Sequence, residues 1–281
     1  MEDCYAIVNG VRLHYKKAGA GPLLLFLHGF PEFWYAWRKQ IPEFAKDHLV
    51  VAPDMRGYNR SSKPAGIEQY AVPFLVEDVR ALAEHLGYKK FVLVGHDWGG
   101  LVAWVFAGKH PEFLERLVIV NAPHPGVFAK LLRDNAAQQQ ASQYMMAFRN
   151  PAIEAWFSAD NYAKMKTAML GTGLREGVFS DEDWNAYNKA WSQPGALTGA
   201  LNYYRAMRPG GEPGNSNVSV PTLVLWGEKD PALTIANLEG IQEYVPNLTV
   251  QRFPHASHWL IHEHPEEVNR AIRAFLASAK P

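Results

Sequence analysis

Short apolar runs alternate with amphipathic stretches along most of this chain. Six mostly apolar runs are typical of strands buried in a parallel sheet, and they span residues 23–27, 49–52, 91–94, 117–120, 222–226 and 248–253. Two stretches between them, residues 72–86 and 265–276, place their apolar side chains on one face at helical spacing. This order predicts an α/β fold with a mostly parallel, doubly wound sheet, in which ligands bind at the carboxyl ends of the strands.

The alternation of strands and helices stops at about residue 126. From there to residue 208 the chain is rich in Gln, Met, Ala, Tyr and Trp and shows only helical spacing, and residues 208–217 read as a loop rich in Pro and Gly. The strand pattern resumes at Val220. We therefore expect a core domain of residues 1–125 and 218–281, with a helical cap domain of residues 126–217 inserted between two halves of one sheet.

Composition changes this picture little. The 281 residues are 48% hydrophobic and 20% charged, and their zero formal net charge provides no field that would attract nucleic acid or an anionic membrane. Cys4 is the only cysteine, so an internal disulfide is excluded, as in many proteins of reducing compartments. The first residues lack the pattern of a signal peptide. We expect a cytoplasmic protein without nucleic-acid or membrane partners, with monomer and homodimer both left open.

The segment Gly-His-Asp-Trp-Gly at residues 95–99 directly follows one predicted strand. A strand that runs into this spacing of small residues predicts a nucleophile elbow, because glycines permit the tight turn from strand to helix. Hydrolases of acyl esters have Ser at the centre of this motif, whereas here the residue is Asp97. A carboxylate that attacks a saturated carbon forms an ordinary ester, so Asp97 suits displacement at an sp3 carbon that carries a leaving oxygen or halogen.

Three other strand ends carry residues that belong with this elbow. After the first predicted strand, a His-Gly-Phe-Pro segment can aim the backbone N–H of Phe30 into the same space as that of Trp98, which predicts an oxyanion hole. Asp230 and His258 follow two later strands, so the chain order is Asp97, acid, histidine, as in the α/β-hydrolase arrangement. This joint occurrence favours a catalytic triad.

Each triad residue also has a simpler interpretation when taken alone. Asp97 would cap the following helix, and Asp230 would be a turn residue before a proline. His258 lies among other histidines, and a random member of such a group is more often solvated or structural. Because no carboxylate or cysteine framework of a common zinc motif accompanies these histidines, we expect no metal site.

Five segments carry a closer likeness. They are HGFPEFWYAWR (28–38), DMRGYNRSSKP (54–64), GHDWGG (95–100), WGEKD (226–230) and HASHWLIHEHPEEVN (255–269). Together they resemble the soluble epoxide hydrolases of the α/β-hydrolase superfamily over nearly the whole core. One departure is Asn59, where the family usually has Gly, and Asn tolerates the positive φ of that turn.

The resemblance implies an α/β-hydrolase fold with a helical lid and the conversion of an epoxide and water to a vicinal diol without cofactor or metal. Two cap tyrosines of the family donate hydrogen bonds to the epoxide oxygen, and Tyr144 and Tyr204 stand at the matching positions. Asp97 is then expected to attack a ring carbon, and His258, supported by Asp230, to activate the water that cleaves the ester. With an ordinary histidine pKa near 6.5, activity should fall below about pH 6.

The substrate pocket is expected to be apolar, because the cap is rich in aromatic residues and methionine. The residues expected to contact substrate are His28, Pro31, Trp34 and Met145.

Two other enzyme classes and one class of binding protein stay open as alternatives. Haloalkane dehalogenases hold halide with two N–H donors; Trp98 supplies the first, but Phe30 occupies the second position. Fluoroacetate-type dehalogenases carry arginines at the elbow, where this chain has Trp98 and Leu101. A non-catalytic ligand-binding relative predicts a missing nucleophile, acid or base, and this chain has a candidate for each.

Overall fold

The computed structural model of the protein describes residues 1–208 and 217–278. Within these ranges the chain forms an eight-stranded sheet in the order β1-β2-β4-β3-β5-β6-β7-β8. The strands are β1 (Glu2–Val8), β2 (Val11–Ala18), β3 (Leu23–Leu27), β4 (Leu49–Pro53), β5 (Phe91–His96), β6 (Leu114–Val120), β7 (Thr222–Gly227) and β8 (Leu248–Phe253). The pairs β1–β2 and β2–β4 are antiparallel, and the remaining neighbours are parallel.

Helices cover both faces of this sheet. They are α1 (Ile41–Phe44), α2 (Val72–His85), α3 (Trp98–Lys109), α4 (Pro125–Asp134), α5 (Ala136–Ala141), α6 (Tyr144–Phe148), α7 (Ala152–Gly171), α8 (Asp181–Trp191), α9 (Ala196–Ala206), α10 (Leu260–Glu263) and α11 (Pro265–Ala277). Strand β3 shows why two cores form. Leu23, Leu25 and Leu27 face one apolar cluster, whereas Leu24 and Phe26 face the other, since successive side chains of a strand point to opposite faces.

The predicted α/β sheet is confirmed, and all six predicted strands are present as β3 to β8. The two predicted helices correspond to α2 and α11. Strands β1 and β2, which form the antiparallel edge, were not predicted from the sequence. The expectation of burial was wrong for β8, because residues 249–252 are exposed at the opposite edge of the sheet. Asn59 has φ +39°, in the left-handed region that its turn requires.

The segment between β6 and β7 is helical in the part that the structure describes. We call residues 126–208 the helical insertion; it contains most of α4 and all of α5 to α9. Helix α7 is interrupted at Ala159–Tyr162, where the backbone leaves helical values. Of the loop predicted at residues 208–217, residues 209–216 lie outside the described residues. No helix in the described ranges has the length and apolar character needed to cross a bilayer.

Candidate active site

Asp97 lies in the tight turn between β5 and α3. Its φ of +51° and ψ of −121° are values that non-glycine residues rarely adopt. The flanking positions have no room for a side chain: a Cβ on Gly95 would lie 2.4 Å from the carbonyl oxygen of Gly99. A Cβ on Gly99 would lie 2.3 Å from the carbonyl oxygen of Leu27. These glycines therefore permit the turn that brings Asp97 to the carboxyl edge of the sheet.

The two carboxylate oxygens of Asp97 have different surroundings. Oδ1 accepts a hydrogen bond of 2.6 Å from the backbone N–H of Phe30. A Cβ on Gly29 would lie 2.2 Å from this oxygen, so only glycine allows the loop to approach. Oδ2 lies 3.6 Å from Nε2 of His258. Trp98 is the first residue of α3. The N–H groups of a first helical turn have no partner within their helix, so the N–H of Trp98 is a second backbone donor beside Asp97.

His258, in the loop after β8, is held by a buried carboxylate. Its Nδ1–H donates to Oδ2 of Asp230 over 2.6 Å. Oδ1 of Asp230 accepts from the backbone N–H groups of Ala232 and Leu233, at 2.9 and 3.0 Å. The carboxylate is thus fixed by backbone donors of its own loop, and it fixes the ring of His258 so that Nε2 faces Asp97.

The charge around His258 raises its basicity. Burial alone would lower the pKa of this imidazole, but the carboxylates of Asp230 and Asp97 favour the charged form and raise the pKa to about 9. The resting site therefore holds a protonated His258 at neutral pH. This differs from the sequence-based expectation of an ordinary value near 6.5, which could not include the charge of Asp97.

Sequence reasoning missed Asn121, which supports the acid. Asn121 directly follows β6, with φ +39°, and its Nδ2 donates to Oδ2 of Asp230 over 2.9 Å. Its Oδ1 accepts from the N–H of Gly227 at the end of β7, over 2.9 Å. The sequence did contain a signal for Asn121: like Asp97, it is a polar residue directly after the carboxyl end of a parallel strand.

A second missed group lies beneath the site. Glu32 is buried, and its Oε1 accepts hydrogen bonds of 2.6 Å from Tyr187 Oη and from His262 Nε2. Its Oε2 lies 3.2 Å from Nδ1 of His96, whose Nε2 donates to the carbonyl oxygen of His258 over 2.9 Å. Burial would raise the pKa of Glu32, but the two histidines hold it well below its usual range. This buried negative charge also raises the pKa of His258.

A cavity of about 460 Å³ opens above Asp97. Its polar boundary includes Asp97, His258, Tyr144 and Tyr204. Most of the remaining walls are apolar and include Phe30, Pro31, Phe148, Ile153, Trp156, Phe157, Met165, Met169 and Trp259. Burial raises the pKa of both tyrosines, and the nearby charge of Asp97 raises it further. Both phenols therefore stay protonated and can donate hydrogen bonds. A carboxylate, an oriented imidazole and two phenol donors thus meet in one apolar cavity.

A smaller cavity of about 40 Å³ lies on another side of the same residues. It shares Asp97, Tyr144 and Tyr204 with the large cavity, and Met145 and Trp98 also line it. Asp97 and the two tyrosines therefore stand where two cavities of very unequal size meet.

Two residues expected at the substrate pocket lie elsewhere. His28 is fully buried and lines neither cavity, because its Nδ1 donates to the carbonyl oxygen of Gly29 and its Nε2 accepts from the N–H of Met55. Trp34 lines neither cavity and packs near Lys16, whose ammonium lies over the indole ring. Their expected contact with substrate is corrected accordingly: His28 fixes the backbone of its loop, and Trp34 packs away from the cavity.

Comparisons with known proteins show the family of this chain. The sequence profile of the family described as "alpha/beta hydrolase fold" matches residues 22–265. The chain is 40% identical to epoxide hydrolase 4 of Mus musculus, with 97% of this chain and 79% of that protein covered. It is 41% identical to the AB hydrolase superfamily protein YfhM of Bacillus subtilis, with 95% of each chain covered. The crystal structure of a Bacillus megaterium epoxide hydrolase in complex with an inhibitor superposes with a TM-score of 0.94, at 41% identity over 98% of this chain and 100% of that one.

Proposed function

This chain belongs to the epoxide hydrolase family of the α/β hydrolases, and we propose that it converts apolar epoxides to vicinal diols through an ester on Asp97. One observation carries the proposal: Asp97 lines a cavity that two protonated phenols, those of Tyr144 and Tyr204, also line. A nucleophile and donors for a leaving oxygen are what ring opening requires. The apolar walls favour substrates with alkyl or aryl substituents.

In the first step, Tyr144 and Tyr204 donate hydrogen bonds to the ring oxygen. Oδ2 of Asp97 attacks the adjacent carbon, so that a new C–O ester bond forms as the ring C–O bond breaks. The departing oxygen takes a proton from a phenol, because an alkoxide is far more basic than a phenolate of ordinary pKa near 10. The phenolate is reprotonated from solvent before the next turnover.

In the second step, His258 removes a proton from a water molecule, which adds to the ester carbonyl carbon of Asp97. The oxyanion forms at Oδ1, where Phe30 already donates and where Trp98 supplies the second N–H. The bond between this carbon and Oδ2 then breaks, and the imidazolium returns its proton to the leaving alkoxide. The diol therefore leaves with Oδ2, and the oxygen atom of water stays on Asp97.

The raised pKa of His258 fits this sequence of steps. Asp230 is the larger of the two carboxylate influences that raise the pKa of His258 to about 9, and Asp97 adds to it while it is an anion. Ester formation removes that charge, so the pKa of His258 falls and the ring releases its proton. The general base becomes available when there is an ester to hydrolyse.

Dehalogenation is the weaker candidate. The ring of Phe30 packs against Phe148, Phe157 and Tyr204, so the position that would hold a second halide donor presents only an aromatic face. A departing halide takes no proton, and the two phenols would have no part in the reaction.

Three wider features complete the proposal. We propose that residues 126–217 act as a cap domain over a core domain of residues 1–125 and 218–281, since α6 and α9 carry Tyr144 and Tyr204. We also propose a cytoplasmic location, with a small epoxide and water as the only partners of the reaction.

A trapping experiment tests the proposed function. In His258→Gln, a terminal aryl epoxide should form the ester on Asp97 while hydrolysis stalls, so the intact mass rises by the mass of one substrate. His264→Gln is the matched control, because His264 lies near the surface beside Glu267, and this variant should turn over without accumulating the adduct. The proposal is wrong if the wild type produces no diol and the His258→Gln mass never rises.

A further inference from the structure

One glutamine of the helical insertion is buried with every polar atom of its side chain in use. Gln138 lies on α5 and is 0% exposed. Its Nε2 donates to Oγ of Ser142 over 2.9 Å and to the carbonyl oxygen of Ala232 over 2.8 Å. Its Oε1 accepts from the N–H and the hydroxyl of Thr234, both at 2.9 Å, and from Nδ2 of Asn237 over 2.8 Å. Both amide hydrogens and the amide oxygen are therefore satisfied.

The partners of Gln138 belong to two different parts of the site. Ala232 and Thr234 lie in the loop after β7 that carries Asp230, and the N–H of Ala232 donates to Asp230 itself. Ser142 begins the turn into α6, where its carbonyl oxygen accepts from the N–H of Met145. Tyr144 is the first residue of α6. One side-chain amide thus joins the loop of the acid to the helix of a phenol donor.

Helix α6 is short and only partly buried. It has five residues, Tyr144–Phe148; Tyr144, Met145 and Phe148 pack against the apolar core on one side, and Gln138 adds a polar contact just before the helix begins. A helix of this length is marginal without tertiary contacts. The carboxylate of Asp230 does not bind Gln138 directly: Asn121 and the backbone N–H groups of Ala232 and Leu233 donate to it.

We propose that Gln138 is a positioning residue that holds the phenol of Tyr144 over Asp97 by fixing α6 to the Asp230 loop. This inference rests on the proposed function. It predicts that Gln138 acts on ring opening through Tyr144 and has little influence on ester hydrolysis, for which Asp230 keeps its other hydrogen bonds.

A double-mutant cycle tests the proposal on the full chain with a terminal aryl epoxide. Gln138→Leu should slow ester formation in single turnover by about tenfold, since misplacement by about 1 Å costs up to about 100-fold in rate. In a Tyr144→Phe background the same change should alter that rate by no more than about twofold, because the residue through which it acts is already lost. The rate of ester hydrolysis should stay within about twofold of the parent in both backgrounds.

Two further variants protect the test from a folding failure. Gln140→Leu is the matched control: Gln140 lies on the same helix, is exposed, and its side chain hydrogen-bonds Gln143, so ester formation should not change. Ser142→Ala removes only the hydrogen bond between Gln138 and the α6 side, and it should also slow ester formation. This variant carries the test if Gln138→Leu does not fold. Equal losses in the wild-type and Tyr144→Phe backgrounds, or an unchanged rate in Ser142→Ala and Gln138→Leu, would overturn the proposal. A wild type that forms no ester would instead overturn the proposed function.

Discussion

The charge of Asp97 adds to that of Asp230 in raising the pKa of His258, and removing the Asp97 charge tests the coupling between the two proposed steps. Nε2 of His258 and Oδ2 of Asp97 are 3.6 Å apart. At an effective dielectric constant of about 20, two unit charges at this distance interact by about 4–5 kcal/mol, which corresponds to about 3 pH units of pKa. Opposite charges this close usually move a pKa by about 1–3 pH units. Asp97→Asn, an uncharged mimic of the ester, should therefore lower the pKa of His258 by about 1–3 pH units from its value of about 9.

NMR titration of the imidazole resonances measures this change directly. The chain has 11 histidines, so the signal of His258 is assigned by its loss in His258→Gln. Mass spectrometry must show that the amide of Asp97→Asn is intact throughout the titration. His264, which is paired with Glu267 and lies outside both cavities, provides the internal control, and its resonances should be the same in both proteins. An unchanged pKa of His258 in Asp97→Asn, or a wild-type value near 6.5, would refute the reasoning.

Three further predictions follow from contacts of the described residues. Asn121→Gly keeps the positive φ but removes the hydrogen bond to Asp230, so ester hydrolysis in single turnover should slow by about tenfold while ester formation changes less; equal slowing of both steps would argue against this role. Burial would lower the pKa of His14, but hydrogen bonds to Asp54 and Asp3 raise it. The protonated ring therefore stabilises the fold fully at low pH, and this stabilisation is lost as the pH rises through the raised pKa. His14→Gln should therefore lower the melting temperature more at pH 5 than at pH 9, and a pH-independent loss would contradict the assigned charge. The two cavities at Asp97 measure about 460 and 40 Å³. An epoxide with one aryl substituent should therefore have a much higher kcat/KM than trans-stilbene oxide, whose two aryl groups would have to occupy both cavities. Equal values would show that the small cavity does not limit substrates.

Strand ends are the part of the site that local pattern could predict. Asp97, Asp230 and His258 each follow an apolar run, and the carboxyl ends of parallel strands meet at one edge of a sheet. The structure brings these three side chains together, with Tyr144 and Tyr204 facing the same cavity as Asp97. The α/β fold followed from the same alternation of strands and helices. Strands β1 and β2 were missed because polar residues interrupt their apolar positions and leave no continuous apolar run.

The supporting residues could not be predicted, because their partners are distant in the chain. Glu32 contacts His262 across 230 positions, and Gln138 contacts Asn237 across 99. His28 stands in a motif that suggests substrate contact, but its ring nitrogens are occupied by backbone groups that only the folded loop brings near. The pKa of His258 likewise depends on the distance to Asp97, which has no counterpart in sequence spacing.

A single turnover in water enriched in heavy oxygen tests the central claim most directly, which is that Asp97 makes a covalent bond to substrate carbon. With enzyme in excess over epoxide, the account predicts an unlabelled diol and a heavy oxygen atom in the carboxylate of Asp97, read from the peptide that contains it. Heavy oxygen in the first diol, together with an unlabelled Asp97, would show that water attacks the epoxide directly and would contradict the account.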